Sequence, residues 1–284
     1  MKSEILNILF REGLTEAAAL PLSACRLTFP RKLEHFQRGA SAVQSVLIFL
    51  VPYFAGDRPE RNISLYAVAR DYHLYFSQLF QRLEQALSEI FPGRSFMGGG
   101  DSSAIDERHA AASAGLGVFG DNGLLIHPRY ASLVFIGGIY SDLPADQYYY
   151  PGKAVRLQEP KSCEHCGQCR SACPIYDNPF GISDCLSAVT QTKKWVNPLY
   201  PAYLKRYGSA WGCDLCQTSC PHTQQAMKNG AALSPIPFFR EKLIWHLTAQ
   251  QIMDMPENIF AERAYAWKKK TCIHRNLTIL ENGY

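Results

Sequence analysis

The spacing of the cysteines limits what this chain can fold into more than any other feature. Eight of the ten cysteines fall between residues 163 and 220, in two runs that echo each other. The first run reads Cys163-Glu-His-Cys166-Gly-Gln-Cys169-Arg-Ser-Ala-Cys173-Pro174. The second reads Cys213-Asp-Leu-Cys216-Gln-Thr-Ser-Cys220-Pro221, and Cys185 stands alone between them. Three thiolates at i, i+3 and i+6 wrap a tight loop around an iron–sulfur cube, and the cysteine before proline ligates the other cluster in two-cluster ferredoxins. By that rule Cys163, Cys166, Cys169 and Cys220 hold one [4Fe–4S] cluster. Cys173, Cys213 and Cys216 hold a second, for which Cys185 is the nearby fourth ligand.

Zinc and disulfides fit the pattern less well. Structural zinc prefers two separated Cys-x2-Cys pairs to three cysteines in seven residues. A disulfide framework belongs to short secreted chains in an oxidising compartment. The start, Met1-Lys-Ser-Glu-Ile-Leu, has no signal-peptide apolar core, and no apolar run reaches membrane-spanning length. Oxygen-sensitive clusters then point to the reducing cytoplasm. A net charge of +4 is too mild to mark a nucleic-acid binder by itself, yet tolerates a polyanionic partner.

At 284 residues the chain has room for a large domain and a small one. Residues 3 to 12 read as a short amphipathic helix. Val46 to Tyr53 is a continuous apolar run of strand length, as in a sheet covered on both faces, ended by Pro52. Tyr66 to Ile90 reads as the clearest helix, with Phe76, Leu79, Phe80, Leu83, Leu87 and Ile90 on one stripe. A glycine turn, Gly98-Gly99-Gly100, leads to Asp101-Ser102-Ser103, which reads as the cap of an alanine-rich helix over about 104–114. Gly123 to Ile126 and Leu133 to Tyr140 read as strands. The expected architecture is an α/β (α+β) domain over 1–150, a ferredoxin-like two-cluster module over 151–230 and a helical tail over 231–284. Residues 145–158 form the expected linker. Trp245, Leu247, Ile252 and Phe260 of the tail are positioned to pack back. Gly115-Leu-Gly117-Val-Phe-Gly120 matches a dinucleotide fingerprint but follows a helix where a strand is required, so a Rossmann reading is rejected.

A ferredoxin needs no domain of this size in front of it, so the leading domain implies a second redox centre or a substrate pocket. Asp101 is its best acid candidate, sitting after three glycines where backbone approaches a ligand closely; a plain helix cap is the bland alternative. Arg108 lies seven residues on, two helical turns, so both can face one side. Asp71-Tyr72-His73 opens the long helix. Cys25 and Cys272 read as ordinary buried thiols.

Taken in order, these pieces resemble the epoxyqueuosine reductase family. They are Tyr66-Ala-Val-Ala-Arg-Asp71-Tyr72-His73, Asp101 with Glu107-Arg108, Ala114-Gly115-Leu-Gly117, Gly120-x-Asn122, Asp184-Cys185-Leu-Ser187-Ala-Val-Thr190 and Gly212-Cys213-Asp214-Leu-Cys216-Gln217. The resemblance covers about residues 40 to 222 and reaches Arg275-Asn276 more loosely. It implies a cobalamin-dependent reductase in which electrons pass through two [4Fe–4S] clusters to the cobalt. The epoxide of epoxyqueuosine in a tRNA anticodon loop is then reduced to the alkene of queuosine. The resemblance also implies that Asp101 donates a proton, that Arg108, Asp71 and His73 lie on the substrate side, and that Asn122, Ser187 and Asp214 contact the corrin. A low-potential donor such as ferredoxin or flavodoxin is the expected electron source.

Three departures stand out. Family members commonly carry Gly-Lys-Asn where this chain has Asp121, and Ala131-Ser132 stands where glycine-serine is usual. The chain stops eight residues after Asn276, whereas longer members continue into a helical-repeat domain that helps hold tRNA. This reading therefore expects a short member without that domain. Two other functions fit the parts: a corrinoid and iron–sulfur reductase of a small molecule, and a non-catalytic electron-transfer protein.

Overall fold

The computed structural model describes residues 1–34, 42–101, 103–149, 163–176 and 178–282. By internal contacts the chain divides into two compact units, neither continuous in sequence. The first comprises Met1–Tyr53 and Tyr75–His165, the second Phe54–Leu74 and Cys166–Tyr284. The sequence reading cut the chain at 150 and 230; the contacts join the expected module and tail and add a segment from the expected first domain.

The first unit is built on a four-stranded sheet of β1 (Ala17–Pro21), β2 (Ser45–Pro52), β3 (Phe96–Gly100) and a later strand, Val134–Ser141. Between these last two come β4 (Val118–Phe119) and β5 (Leu125–Ile126), a separate two-residue pair, so Val134–Ser141 is β6. The order is β1-β2-β6-β3, and every pairing is antiparallel. The class is therefore mixed α and β with an antiparallel sheet.

That run is apolar throughout because β2 is central and covered on both faces. Every residue of β2 is buried. On one face Val46, Ile48 and Leu50 join Ala110, Ala111 and Ala114 in a single apolar cluster with Tyr140. On the other, Phe49 meets Phe80 edge-on at 6.5 Å between ring centroids. Alternation of side chains across a strand sends the two sets to opposite faces.

Helix α1 (Ser3–Arg11) buries Ile5 and Leu9 as its amphipathic pattern predicts. Helix α2 runs over Tyr72–Ile90 and buries Tyr75, Phe76, Leu79, Leu83 and Leu87. It starts six residues later than the periodicity predicts, because the backbone before it is committed elsewhere in the second unit. Ser64 N–H donates to Trp211 O at 2.7 Å, Val68 O accepts from Ile244 at 2.9 Å, and Asp71 N–H donates to Glu262 O at 2.8 Å. Groups spent on such partners cannot form the i to i−4 ladder.

The three glycines expected to form a turn are the last residues of β3. A Cβ on Gly98 would lie 2.2 Å from Phe80 Cγ, and one on Gly99 2.8 Å from Tyr140 Cε2. Glycine is thus needed where α2 and the Tyr140 ring press on the strand. The first residues of the expected linker belong to the first unit. Ala145–Tyr148 is a 3-10 turn with Tyr148 fully buried, and Tyr148 O accepts from Lys2 N–H at 2.9 Å. Tyr150, Pro151 and Gly152 lie outside the described residues.

The second unit is helical. It comprises α4 (Gln168–Ala172), α5 (Leu186–Gln191), α6 (Tyr200–Tyr207), α7 (Leu215–Thr218), α8 (Pro221–Lys228), α9 (Ala249–Asp254), α10 (Glu257–Ala261) and α11 (Lys270–Glu281). Its largest core surrounds Trp211 and Tyr265 and takes in Leu247, Ile252 and Phe260, so the tail packs back within this unit. Asn276 is buried and donates to Thr190 O at 2.7 Å and Ala210 O at 2.9 Å. Among the described residues no helix is long and apolar enough to cross a membrane.

Candidate functional site

In the first unit the backbone leaves β3 at Gly100 and turns through Asp101, whose φ of 52° lies in the left-handed region that aspartate tolerates. Asp101 is exposed. It does not cap the next helix. Helix α3 covers Glu107–Ser113, and its cap is Asp106, which accepts from His109 N–H at 3.2 Å. Residues 104 to 106 cannot be helical because Ala104 O accepts from Thr28 N–H at 2.9 Å and Asp106 N–H donates to Arg26 O at 2.8 Å. The expected helix therefore starts three residues late, and the two-turn spacing of Asp101 and Arg108 does not apply. Ser102, part of the expected cap, lies outside the described residues.

Arg108 instead reaches the turn after β4. Its Nη1 donates to Gly123 O at 2.8 Å, and its Nε lies 3.7 Å from Asp106 Oδ1. Asn122 holds that turn from within, its Oδ1 accepting from Leu124 N–H at 3.1 Å. Asp121, where lysine is common in the family resemblance, pairs with His165 Nδ1 at 2.8 Å. Donor atoms of Asp121, Cys163 and His165 all lie within 4.8 Å of one another.

Within the electrostatic reach of Asp101 is a residue to which the sequence reading gave no role. Glu107 opens α3, and its Oε1 is enclosed with no hydrogen-bond partner. Burial pushes its carboxyl up to about 7; Asp101 and Asp106 add to the rise, while the Ser103 hydroxyl and Lys32 oppose it. Ser103 is itself buried and also bonds the Tyr140 hydroxyl, which burial raises to about 12. An acidic residue in a first helical turn ordinarily reads as complementing the helix dipole, so sequence carries no separate signal for this role.

In the second unit α4 and α7 pack together, bringing parts of the two cysteine runs close. The Cys216 thiol is raised to about 11 by burial and then by Cys173, Cys185 and Cys169. The Cys213 thiol is raised to about 12, first by burial, and feels Cys216 and Cys185, while Leu215 N–H donates to it. Cys216 therefore lies near Cys173, Cys185 and Cys169, and Cys213 near Cys216 and Cys185. Thiols gathered in this way would suit a positively charged iron core, which stabilises thiolates. Cys166, Cys169 and Cys220 belong to this unit, whereas Cys163 belongs to the first. All ten cysteines are free thiols.

Asp214 is buried, with both oxygens engaged. Arg61 Nη1 donates to it at 2.8 Å, Leu65 N–H at 2.8 Å, and the Ser64 hydroxyl makes a third bond. Burial raises its carboxyl against the pull of Arg61. Burial lowers the Arg61 guanidinium, but Asp57 and Asp214 together outweigh it and hold it above its ordinary value. Asp214 and Cys213 line one cavity with Arg61, Leu186 and Tyr207. Ser187 Oγ accepts from Gln191 at 3.1 Å. Asp71 accepts from His73 N–H at 3.0 Å, and its Oδ1 lies 2.8 Å from His73 Nδ1, with the imidazole exposed and stacked on Tyr72.

Residues 34–102 match the family described as "Epoxyqueuosine reductase QueG, DUF1730". An epoxyqueuosine reductase from Gloeobacter violaceus is 30% identical over 257 residues, covering 87% of this chain and 76% of that protein. The chain belongs to the epoxyqueuosine reductase family. Among solved structures, epoxyqueuosine reductase from Streptococcus thermophilus aligns with a TM-score of 0.68 at 19% identity, covering 99% of this chain and 80% of that one. A crystal structure of epoxyqueuosine reductase with an epoxyqueuosine-modified tRNA-Tyr stem loop aligns equally well, at 0.68 and 18% identity over 98% of this chain and 80% of that one. At such identities the likeness speaks to the fold. For this family member, Arg61 is the second residue that the sequence reading missed, because its partner Asp214 lies 153 positions away.

Proposed function

We propose that this chain reduces the epoxide of epoxyqueuosine in tRNA to the alkene of queuosine, with two [4Fe–4S] clusters and cobalamin as its cofactors. The observation that carries this reading is family membership across 87% of the chain. The free cysteines, with Cys169, Cys173, Cys185 and Cys213 near Cys216 in the second unit, support the iron–sulfur part. Cys163, Cys166, Cys169 and Cys220 would hold the first cluster, and Cys173, Cys185, Cys213 and Cys216 the second.

When bound, these groups supply the low-potential electrons, and the protein supplies binding, orientation and protons. Asn122 and Ser187 would contact the corrin. Asp214 would act at one remove, fixing Arg61 and the Leu65 backbone, since its carboxylate bonds run to them and to Ser64. Asp101 delivers a proton to the epoxide oxygen as its negative charge develops, the task of a positioned acid. Its place on an exposed left-handed turn after β3 suits that role. Arg108, Asp71 and His73 meet the substrate, Arg108 as a fixed cation held by Gly123 O. A ferredoxin- or flavodoxin-type donor supplies electrons in the cytoplasm, where free thiols and clusters survive.

The test is anaerobic purification with iron, sulfide and cobalt analysis, then assay on epoxyqueuosine-containing tRNA. Asp101→Asn is expected to retain iron and cobalamin and lose turnover by about 100-fold or more. Unchanged turnover in that variant removes Asp101 from the chemistry.

A further inference from the structure

Converting an epoxide to an alkene requires two electrons and two protons. Both C–O bonds break, a carbon–carbon double bond forms, and the oxygen leaves as water. The electrons come from the low-potential donor of the proposed function, on which this inference rests. Asp101 carries one proton at a time, so the second must reach the oxygen from another group or through Asp101 itself.

Glu107 is the group placed to supply it. Its carboxyl is largely enclosed, and Oε1 has no partner that a carboxylate would need. Its hydrogen-bonded neighbour Ser103 has a single proton, which it donates to Ile105 O at 3.2 Å. The Ser103 hydroxyl bonds the carboxyl and offsets part of the rise, and burial outweighs it. Tyr140, on β6, accepts from the N–H groups of Ala104 and Ile105 and shares Ser103. The charged groups acting on Glu107 are Asp101 at the end of β3, Asp106 at the cap of α3 and Lys32 from the 3-10 segment Pro30–Leu33, with the phenol of Tyr140 beside them. Two anionic neighbours against one cation favour the neutral acid.

We propose that Glu107 is a positioning residue that holds the second proton of the reaction and passes it to Asp101 after Asp101 has protonated the epoxide oxygen. Loss of the first proton leaves Asp101 anionic, which draws the proton of its neighbour, and the pair then titrates as a unit. Gly99 keeps the path narrow, since a Cβ there would meet Tyr140 at 2.8 Å and Ser103 Cβ at 3.7 Å.

The experiment pairs an infrared pH titration of the anaerobically loaded protein with single-turnover rates on epoxyqueuosine-containing tRNA. Wild type is expected to show the carbonyl stretch of a protonated carboxylic acid that disappears with a midpoint near 7, and a rate that falls through the same range. In Glu107→Gln the band is absent, and the rate is about 100-fold lower at mildly acid pH with that limb gone. Ser103→Ala retains the carboxyl and removes the bond that lowers its affinity for protons, so band and limb both move to higher pH. A wild type without the band, or a Glu107→Gln protein with unchanged rate and profile, overturns the proposal while leaving the reductase activity standing. A wild type that loads its cofactors and never reduces the tRNA instead overturns the proposed function.

Discussion

Arg61 Nη1 meets Asp214 Oδ2 at 2.8 Å across 153 positions of sequence, and the two side chains are 15% and 7% exposed. The pair ties the segment after Tyr53 to the second cysteine run within one unit. Removing one partner of such a pair strands the other charge, at a cost of about 3–5 kcal/mol. Asp214→Ala should therefore unfold at markedly lower denaturant concentration than wild type, measured anaerobically by circular dichroism. An unchanged midpoint would mean that the carboxylate is free for another task.

The second cluster gives a prediction for a single thiol. Cys185→Ala should lower bound iron from about eight to about four per chain, because one cube lacks its fourth ligand. Cys25→Ser and Cys272→Ser should leave iron unchanged. Burial raises the Cys25 thiol to about 11, and Cys272 donates to Thr190 O at 3.5 Å, as expected of packed thiols. Iron and sulfide analysis after anaerobic purification reads all three.

Stability should depend on pH through Glu107. Its carboxyl is raised from an ordinary 4.5 to about 7, so the fold favours the protonated form. The stabilisation is present below about pH 4.5 and is lost as pH rises to about 7. Glu107→Gln has no such loss. It should match wild type at low pH and exceed it at pH 8 by about 2–3 kcal/mol, read from denaturant unfolding at the two pH values.

Phosphate contacts should appear in salt dependence. Lys193 and Lys194 are exposed, whereas Lys270 Nζ is committed to Met255 O at 2.6 Å. Reversing Lys193 and Lys194 to Glu should weaken tRNA binding and flatten its dependence on salt by about one unit of slope per lost contact. A double variant with the wild-type slope would place the tRNA surface elsewhere.

The cysteine pattern was readable because ligand spacing is local; in space Cys216 lies near Cys173 and Cys185 and also near Cys169, which spacing gives to the other cluster. Helices α1 and α2 were readable from their stripes, but the start of α2 was not. It is set by bonds from Ser64, Val68 and Asp71 to Trp211, Ile244 and Glu262. Likewise Gly98 to Gly100 looked like a turn because nothing local announces the Phe80 and Tyr140 rings that require glycine in a strand. The antiparallel order β1-β2-β6-β3 was equally hidden, since burial on both faces erases the alternation that marks such strands. Glu107 and Arg61 escaped for the same reason: each takes its role from residues distant in sequence or from its enclosure.

The central claim is tested most directly by the nucleoside product. Anaerobic protein loaded with iron, sulfide and cobalamin is mixed with reductant and epoxyqueuosine-containing tRNA, which is then digested and analysed by mass spectrometry. The account predicts queuosine, one oxygen lighter than its precursor, from wild type and not from Asp101→Asn. Fully loaded wild type that leaves epoxyqueuosine intact would contradict it.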